Sequence, residues 1–321
     1  MDWSLLMRAL HLPASGEQAI LAELPTPTPG ANEVLLRVRA AALNPLDNHI
    51  ALGMLEEMME HRYPLVLGRD VSGVVEALGD AVTGFAKGDE VVAHVPFTPP
   101  FQAGTVAEFA VVPVTTVVAK PEGLNHVTAA ALPLAGSAAQ KAIDALDPQP
   151  GHVVLVNGAS GGVGRFVVQL LTQRGVTVVA TSTPPDAGRL SELGAAQIID
   201  FTAGDTADRV RDLYPDGVDA LINLTGDALD EVPLDAVRPG GAVCTTRPVP
   251  DAETLAERGL SGGGIMTSPT REDIGPLLDQ AANGGLDVDI CRVLPLDSAL
   301  EGLTELAAGR ARGKIVIDLS L

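Results

Sequence analysis

The feature that most constrains this chain is a glycine loop between an apolar strand and an apolar helix, in the segment HVVLVN-GASGGVG-RFVVQLL. Gly158, Gly161 and Gly164 recur at every third position. The first glycine permits a tight turn, the middle residues bring backbone N–H groups close to a pyrophosphate, and the last lets the helix pack on the strand. The loop therefore predicts a dinucleotide site. The residues expected to contact the cofactor there are Gly158, Ser160, Gly161, Gly162, Val163 and Gly164.

The end of the next strand bears on which dinucleotide binds. An acidic residue that holds the adenosine ribose of NAD is expected about 20 residues beyond the loop. The strand instead ends at Thr181-Ser182-Thr183, which contains no acid. The hydroxyl groups of Thr181 and Ser182, with Arg189 nearby, would accommodate a 2′-phosphate, and this favours NADPH. The alternative interpretation of Arg189 is a solvated helix residue.

The chain changes character near Lys120. Before it, short segments rich in β-branched residues alternate with turn signals, which predicts a small barrel or sandwich. After it, strands alternate with helix-length segments, which predicts βαβ units and a doubly wound parallel sheet. The segment Lys314–Leu319 is again a strand that could return to the first domain. The helices predicted after Lys120 are Ala129–Leu146, Gly162–Arg174, Ala187–Leu193, Thr206–Leu213 and Ala228–Val237.

Composition excludes some partners. The 321 residues carry a formal net charge of −20, which would repel nucleic acids and anionic membranes. No uncharged stretch is long enough to span a bilayer, and the N-terminus is not a convincing signal peptide. The two cysteines, Cys244 and Cys291, are expected to be buried in a reducing cytoplasm. We therefore expect a cytoplasmic protein without nucleic-acid or membrane partners.

Metal-ligand patterns are missing from the first domain. No cysteine precedes Cys244, so a cysteine-built zinc site cannot lie there, and the six histidines show no paired spacing. Without a metal to polarise an isolated carbonyl, the favoured hydride acceptor is a conjugated one, such as an enone or a quinone. The charge that develops on its carbonyl oxygen then needs only hydrogen-bond donors.

Nearly the whole chain resembles one family. The segments that carry the resemblance are MRALHLPASG, ELPTPTPGANEVLLRVRAAALNPLD, LGRDVSGVVEALGDAVTGFAKGDEVVA, AAALPLAGSAAQKAI, GASGGVG, LGAAQIIDF and RGKIVI. They are similar to the quinone oxidoreductase (ζ-crystallin-like) branch of the medium-chain dehydrogenase/reductase superfamily. The resemblance implies an α/β protein: a GroES-like β-barrel catalytic domain at 1–120 and 290–321, and a Rossmann domain at 121–289. It also implies NADPH, a substrate cleft between the domains, and a homodimer joined near Gly262–Thr267.

The resemblance also assigns site residues. Asn44 and Asp47 are expected near the nicotinamide or the substrate, and Lys314 is expected to reach the cofactor. Asn223 and Thr225, which follow a strand, are expected to contact ribose or nicotinamide. The alternatives are a turn that shapes the loop at Asn44, a capping role for Asp47 and a barrel-edge lysine at Lys314.

This chain departs from the family in ways that bear on catalysis. Asn44 and Arg69-Asp70 stand where zinc-dependent relatives have Cys and His-Glu, which agrees with a metal-free site. Ala138 replaces a threonine that often touches the nicotinamide, with Ser137 one position earlier. A common tyrosine is absent after the Asn-Pro-x-Asp turn, where His49 lies, so His49 or water is left to deliver the proton.

Three functions remain open at this point. The first is an NADPH-dependent oxidoreductase that transfers hydride to a quinone or an α,β-unsaturated carbonyl compound. The second is an enoyl reductase of specialised, polyketide-type metabolism. The third, of another class, is a non-catalytic NADPH-binding sensor or structural protein, which the replaced threonine and the missing tyrosine suggest.

Overall fold

The computed structural model of the protein describes residues 6–321, which form two compact units. The first contains the described residues up to Leu134 together with Ser268–Leu321, and the second is Ala135–Thr267. These limits differ from the predicted ones at 120/121 and 289/290. The helix His126–Ala130 packs on strands of the first unit, and so does the helix Arg271–Ala282, so both belong there.

The described residues form strands and helices in the following order. The strands are β1 (Leu6–Leu12), β2 (Ile20–Pro25), β3 (Glu33–Leu43), β4 (Leu65–Val66), β5 (Asp70–Leu78), β6 (Glu90–His94), β7 (Phe109–Pro113), β8 (Val118–Ala119), β9 (Val153–Asn157), β10 (Thr177–Ser182), β11 (Gln197–Asp200), β12 (Val218–Asn223), β13 (Val237–Thr245), β14 (Ser261–Gly264), β15 (Ile290–Leu294) and β16 (Lys314–Asp318). The α-helices are α1 (Pro45–Ala51), α2 (His126–Ala130), α3 (Pro133–Leu146), α4 (Gly162–Gln173), α5 (Pro184–Glu192), α6 (Thr206–Leu213), α7 (Ala252–Glu257), α8 (Arg271–Ala282) and α9 (Ala299–Ala307).

The first unit is mainly β. One sheet has the order β15-β16-β3-β5-β6-β8, with β7 also paired to β3, and a smaller sheet has the order β2-β1-β4. The terminal strand β16 runs antiparallel to β3, with Val316 opposite Ala42. It therefore returns to the first unit, as its sequence predicts. Branched side chains from several strands, including Leu36, Val71 and Ile315, are fully buried in one core, because alternate residues of each strand face inward.

The second unit contains a six-stranded parallel sheet in the order β11-β10-β9-β12-β13-β14. This is the order of a doubly wound nucleotide-binding sheet, in which the winding direction reverses between the first and fourth strands, here β9 and β12. The buried residues Leu155, Val179 and Leu221 anchor one side of the sheet. The predicted fold class is confirmed, and the glycine loop follows β9 at the reversal, where such sheets bind ligands.

Two helix predictions were wrong at prolines. The segment predicted as a helix at Ala228–Val237 forms two 3₁₀ helices, Leu229–Glu231 and Leu234–Ala236, separated around Pro233. The predicted helix Ala129–Leu146 is two helices, α2 and α3, and Pro133 is the first residue of the second. Proline lacks a backbone N–H and clashes with the preceding turn, so it begins a helix well but does not continue one.

The burial prediction failed for one cysteine. Cys244 is buried, as expected, and burial raises the pKa of its thiol to about 11. Cys291 is exposed, because it lies on β15 at the edge of the larger sheet, with its thiol donating a hydrogen bond to the Lys314 carbonyl. Among the described helices, none has both the length and the apolar character needed to cross a membrane.

Candidate functional site

The glycine turn after β9 is held by a hydroxyl from the neighbouring strand. Gly158 has a φ of +86°, a left-handed conformation that favours glycine. Its N–H donates a hydrogen bond of 2.9 Å to Oγ1 of Thr181, which in turn donates to the Asn157 side-chain oxygen at 3.0 Å. Thr181, predicted to contact the cofactor, is thus a buried residue that shapes the turn.

The other two glycines serve different purposes. A Cβ on Gly164 would lie 2.4 Å from the Gly158 carbonyl oxygen and 2.6 Å from the Ala159 Cα, so this glycine is needed for the helix to pack on the turn. Gly161, the N-cap residue of α4, has an ordinary φ of −75°. A Cβ there would approach only the Gly158 carbonyl oxygen, at 3.4 Å. Neither backbone conformation nor packing within the chain therefore requires glycine at position 161. A side chain there would instead occupy the space in front of the N-terminus of α4. That space suits a pyrophosphate.

The residues predicted to lie on the adenosine side are all in the second unit, and two of them are in contact. The hydroxyl oxygens of Ser160, in the glycine loop, and Ser182, at the end of β10, are 3.1 Å apart. Arg189 lies on α5, where its guanidinium is 3.3 Å from a carboxylate oxygen of Glu192, and its side chain is about one-third exposed. The structure therefore joins Ser160 to Ser182 and leaves Arg189 in an exposed ion pair.

A row of polar side chains crosses the carboxyl ends of three adjacent strands. The Asn157 amide donates to the Asn223 side-chain oxygen at 2.8 Å, and the Asn223 amide donates to Thr245 Oγ1 at 3.3 Å. Asn223 is fully buried, and Thr225 lies where a Cβ on Gly158 would touch it. Sequence reasoning missed Asn157 and Thr245, although a polar residue closing an apolar strand was the signal for both.

A buried ion pair beside the loop was not predicted from the sequence. Arg165, in the first turns of α4, and Asp186, in the first turn of α5, form an ion pair of 2.9 Å, and each residue is less than 10% exposed. The only signal was a charged residue inside the apolar run RFVVQLL.

In the first unit, Asp47 closes the turn that begins α1. Its carboxylate accepts hydrogen bonds from the backbone N–H of Asn44 at 2.7 Å and from that of Gly68 at 3.2 Å. The side chain is fully buried, and burial raises the pKa of Asp47 to about 6, against the opposing effects of the Asn44 N–H and the Arg69 charge. The same helix carries the half-buried His49.

Asn44 is the centre of a second buried network. Its side-chain N–H donates to Asp70 at 2.9 Å, and its oxygen accepts from the Lys314 ammonium at 2.6 Å. Lys314 also donates to the Leu43 carbonyl at 3.0 Å, and Asp70 contacts His94 Nδ1 at 2.7 Å. Burial lowers the pKa of Lys314, against the attraction of Asp70 and Asp47. Both ends of the Asn44 amide are therefore engaged inside the barrel unit, and so is the Lys314 ammonium.

Arg69 is almost fully buried beside this network. Its guanidinium donates to the Ala103 carbonyl at 3.2 Å and lies over the Phe101 ring, 4.6 Å from the centroid. Burial lowers the pKa of Arg69 to about 10, with Asp47 opposing the shift. Within residues 6–321, no cluster of three or more His, Cys, Asp or Glu side chains has the arrangement of a metal site.

The position on α3 at which this chain has Ala138 instead of the family's usual threonine is buried, and so is the preceding Ser137. Ala138 and Ser137 are 7% and 3% exposed, and the Ser137 hydroxyl has no hydrogen-bond partner among the described residues. Buried hydroxyls are normally bonded, so an unpartnered one commonly indicates a missing ligand or water. This makes Ser137 a candidate for the contact that the replaced threonine would make.

A GroES-like barrel unit, and a doubly wound parallel sheet with a glycine turn at its reversal, define an oxidoreductase that uses a nicotinamide dinucleotide. Comparison with known proteins agrees with this class. The family described as "Alcohol dehydrogenase GroES-like domain" matches residues 30–122, and the family described as "Zinc-binding dehydrogenase" matches residues 193–317.

Individual relatives cover almost the whole chain. The mouse protein "NAD(P)H oxidoreductase RTN4IP1, mitochondrial" is 31% identical over 329 residues, which cover 90% of this chain and 82% of the relative. The quinone oxidoreductase structure from Coxiella burnetii has a TM-score of 0.86 and 29% identity, covering 98% of this chain and 100% of that one. A structure titled NAD-dependent alcohol dehydrogenase has the same TM-score and coverage, with 33% identity. The chain belongs to the medium-chain dehydrogenase/reductase superfamily, as its motifs indicate.

Proposed function

We propose that this oxidoreductase uses NADPH to transfer hydride to a quinone or an α,β-unsaturated carbonyl compound, without zinc. The observation that carries the proposal is the buried Asn44–Lys314–Asp70 network. By the family resemblance, Asn44 and Arg69-Asp70 occupy positions at which zinc-dependent relatives hold the metal. The Lys314 ammonium and the Arg69 guanidinium would repel a divalent cation at these positions. Neither group has a lone pair with which to coordinate a metal.

The second unit offers a fitting site for the dinucleotide. The backbone N–H groups of Gly162, Val163 and Gly164, in the first turn of α4, would hold the pyrophosphate, because Gly161 leaves the space open. The hydroxyls of Ser160 and Ser182 and the charge of Arg189 would hold the 2′-phosphate. Asn223, Thr225 and the unpartnered Ser137 hydroxyl would contact the nicotinamide end. When bound, NADPH supplies the hydride.

The first unit supports the substrate chemistry. Asp47 closes the first turn of α1 through the Asn44 N–H, and this helix carries His49. We therefore assign Asn44 and Asp47 to positioning and His49 to proton donation toward the reduced substrate. A conjugated acceptor fits this set, because its developing oxygen charge is met by hydrogen-bond donors rather than by a metal.

The proposed roles and assembly follow from the family resemblance, and the proposed location follows from the composition of the chain. We propose a catalytic role for the first unit, a cofactor role for the second, and a cytoplasmic homodimer. The edge strand β14 is a suitable dimer contact, since an unpaired strand edge can continue a sheet into a second copy.

The experiment is a fluorescence titration with NADPH and NADH, followed by NADPH oxidation with a naphthoquinone, a simple enone and an enoyl thioester. We expect tighter NADPH binding and turnover of the quinone or the enone, with no loss after EDTA treatment. Turnover of the thioester alone would favour an enoyl reductase. Tight NADPH binding without turnover would favour a sensor, and a loss of activity with EDTA that zinc restores would refute the metal-free site.

A further inference from the structure

Arg165 is a charged residue in an unusual place. It lies near the N-terminus of α4, directly after the last glycine of the loop, and is 6% exposed. A buried guanidinium is stable only when its charge and its N–H groups are met. The partners of Arg165 therefore show how its charge is stabilised at this buried position.

Those partners connect the two loops on the adenosine side of the site. Arg165 Nε donates to the Ser160 carbonyl at 3.0 Å, in the glycine loop. One terminal nitrogen donates to an Asp186 oxygen at 2.9 Å, at the start of α5. The other Asp186 oxygen accepts from the Thr183 hydroxyl at 3.3 Å. One side chain thus fixes the glycine loop and the strand end that carries Ser182.

The end of β10 has no acidic residue, and Asp186, in the first turn of α5, is the first acid that follows it. It lies about 20 residues beyond the glycine loop, in the region where an acidic residue selects the ribose hydroxyls of NAD. Left unpaired, its carboxylate would repel a 2′-phosphate and accept hydrogen bonds from the ribose. The first two residues of α5, Pro184 and Pro185, have no backbone N–H to counter it. The Arg165 guanidinium, by contrast, is bonded to the carboxylate.

We propose that Arg165 masks Asp186 and is a positioning residue that determines cofactor specificity. Paired with Arg165, the carboxylate neither attracts the ribose diol nor repels a phosphate, and the neighbouring hydroxyls of Ser160 and Ser182 then receive the 2′-phosphate. This inference rests on the proposed use of NADPH.

The test measures Kd for NADPH and NADH with the full chain and four variants: Arg165→Met, Arg165→Lys, Asp186→Asn and the double variant Arg165→Met/Asp186→Asn. In Arg165→Met the Asp186 carboxylate loses its Arg165 partner, and this should shift the NADPH-to-NADH preference toward NADH by at least ~10-fold. Asp186→Asn should keep the NADPH preference or increase it. The double variant should return to within ~3-fold of the wild-type ratio, since the acid is gone, and Arg165→Lys should stay closer to wild type than Arg165→Met.

The readout separates this role from a merely structural one. Loss of a structural clamp would weaken both cofactors equally and leave the ratio unchanged in Arg165→Met, which would overturn the masking. A ratio that shifts in Arg165→Met but does not return in the double variant would overturn it as well. If Arg165→Met does not fold, Arg165→Gln removes the same charge while keeping a donor for Ser160. A wild-type chain that prefers NADH would refute the proposed cofactor, whereas an NADPH preference that survives Arg165→Met would refute only the mask.

Discussion

Lys314 donates a hydrogen bond of 2.6 Å to the side-chain oxygen of Asn44, and both residues are about 4% exposed. The bond joins the first residue of β16 to the residue that follows β3, and these strands are antiparallel neighbours. It places a buried ammonium beside Asn44, and it links β16 to the turn that begins α1.

Removing this ammonium should destabilise the first unit. Lys314→Met leaves the oxygens of Asn44 and Leu43 without their donor, and we expect a loss of about 3 kcal/mol in the free energy of unfolding, measured in urea. The exposed Lys87, paired with Glu76, is the control, and Lys87→Met should change stability by less than ~0.5 kcal/mol. Combining Lys314→Met with Asn44→Leu should cost less than the sum of the two. Strict additivity would mean that the two side chains do not interact.

The raised pKa of Asp47 predicts a specific pH dependence of stability. The folded state binds the Asp47 proton more tightly than the unfolded chain, with a pKa of about 6 against 3.8. The contribution of Asp47 to the free energy of unfolding is therefore greatest below the unfolded pKa, where it reaches ~3 kcal/mol. This contribution is lost as the pH rises through about 6. Relative to wild type, Asp47→Asn should be more destabilised at pH 5 than at pH 7.5, by about 1 kcal/mol. A constant difference between the two pH values would contradict a raised pKa.

Substitutions at two glycines of the loop should affect cofactor binding and folding differently. Gly161→Val introduces a side chain where the backbone tolerates one, so we expect an unchanged melting temperature and at least ~10-fold weaker NADPH binding. Gly164→Ala forces a Cβ against the Gly158 carbonyl and should cost about 3 kcal/mol of stability. Normal NADPH affinity in Gly161→Val would place the pyrophosphate elsewhere.

Arg189 should discriminate between the two cofactors. Its pair with Glu192 is partly exposed, with side chains 32% and 70% exposed, so it should contribute less than a charge-assisted bond to a phosphate. Arg189→Ala should weaken NADPH binding by about 10-fold and leave NADH nearly unchanged. The matched variant Glu192→Gln should keep or tighten NADPH binding. Equal effects of Arg189→Ala on both dinucleotides, measured by titration, would remove this residue from the 2′-phosphate site.

Much of the fold was predictable because it depends on local patterns. The spacing of the glycines from Gly158 to Gly164 and the apolar strand before them predict a strand, turn and helix, since these features are set by short-range sterics and by burial of adjacent residues. The β-branched run after Lys314 predicts a strand in the same way. The failure at Ala228–Val237 was also local, because Pro233 limits helix formation more than the apolar spacing promotes it.

The sequence by itself determined the strand, turn and helix around the glycine loop, the return of the last strand to the first unit, and the family. Only the tertiary structure decided which polar groups meet: Lys314 with Asn44, Asp70 with His94, and Arg165 with Asp186. Lys314 and Asn44 are 270 residues apart in sequence, and no local pattern encodes their contact. A buried charge is stabilised by whichever partner the folded chain brings within hydrogen-bond distance, so its role depends on which strands and helices become neighbours.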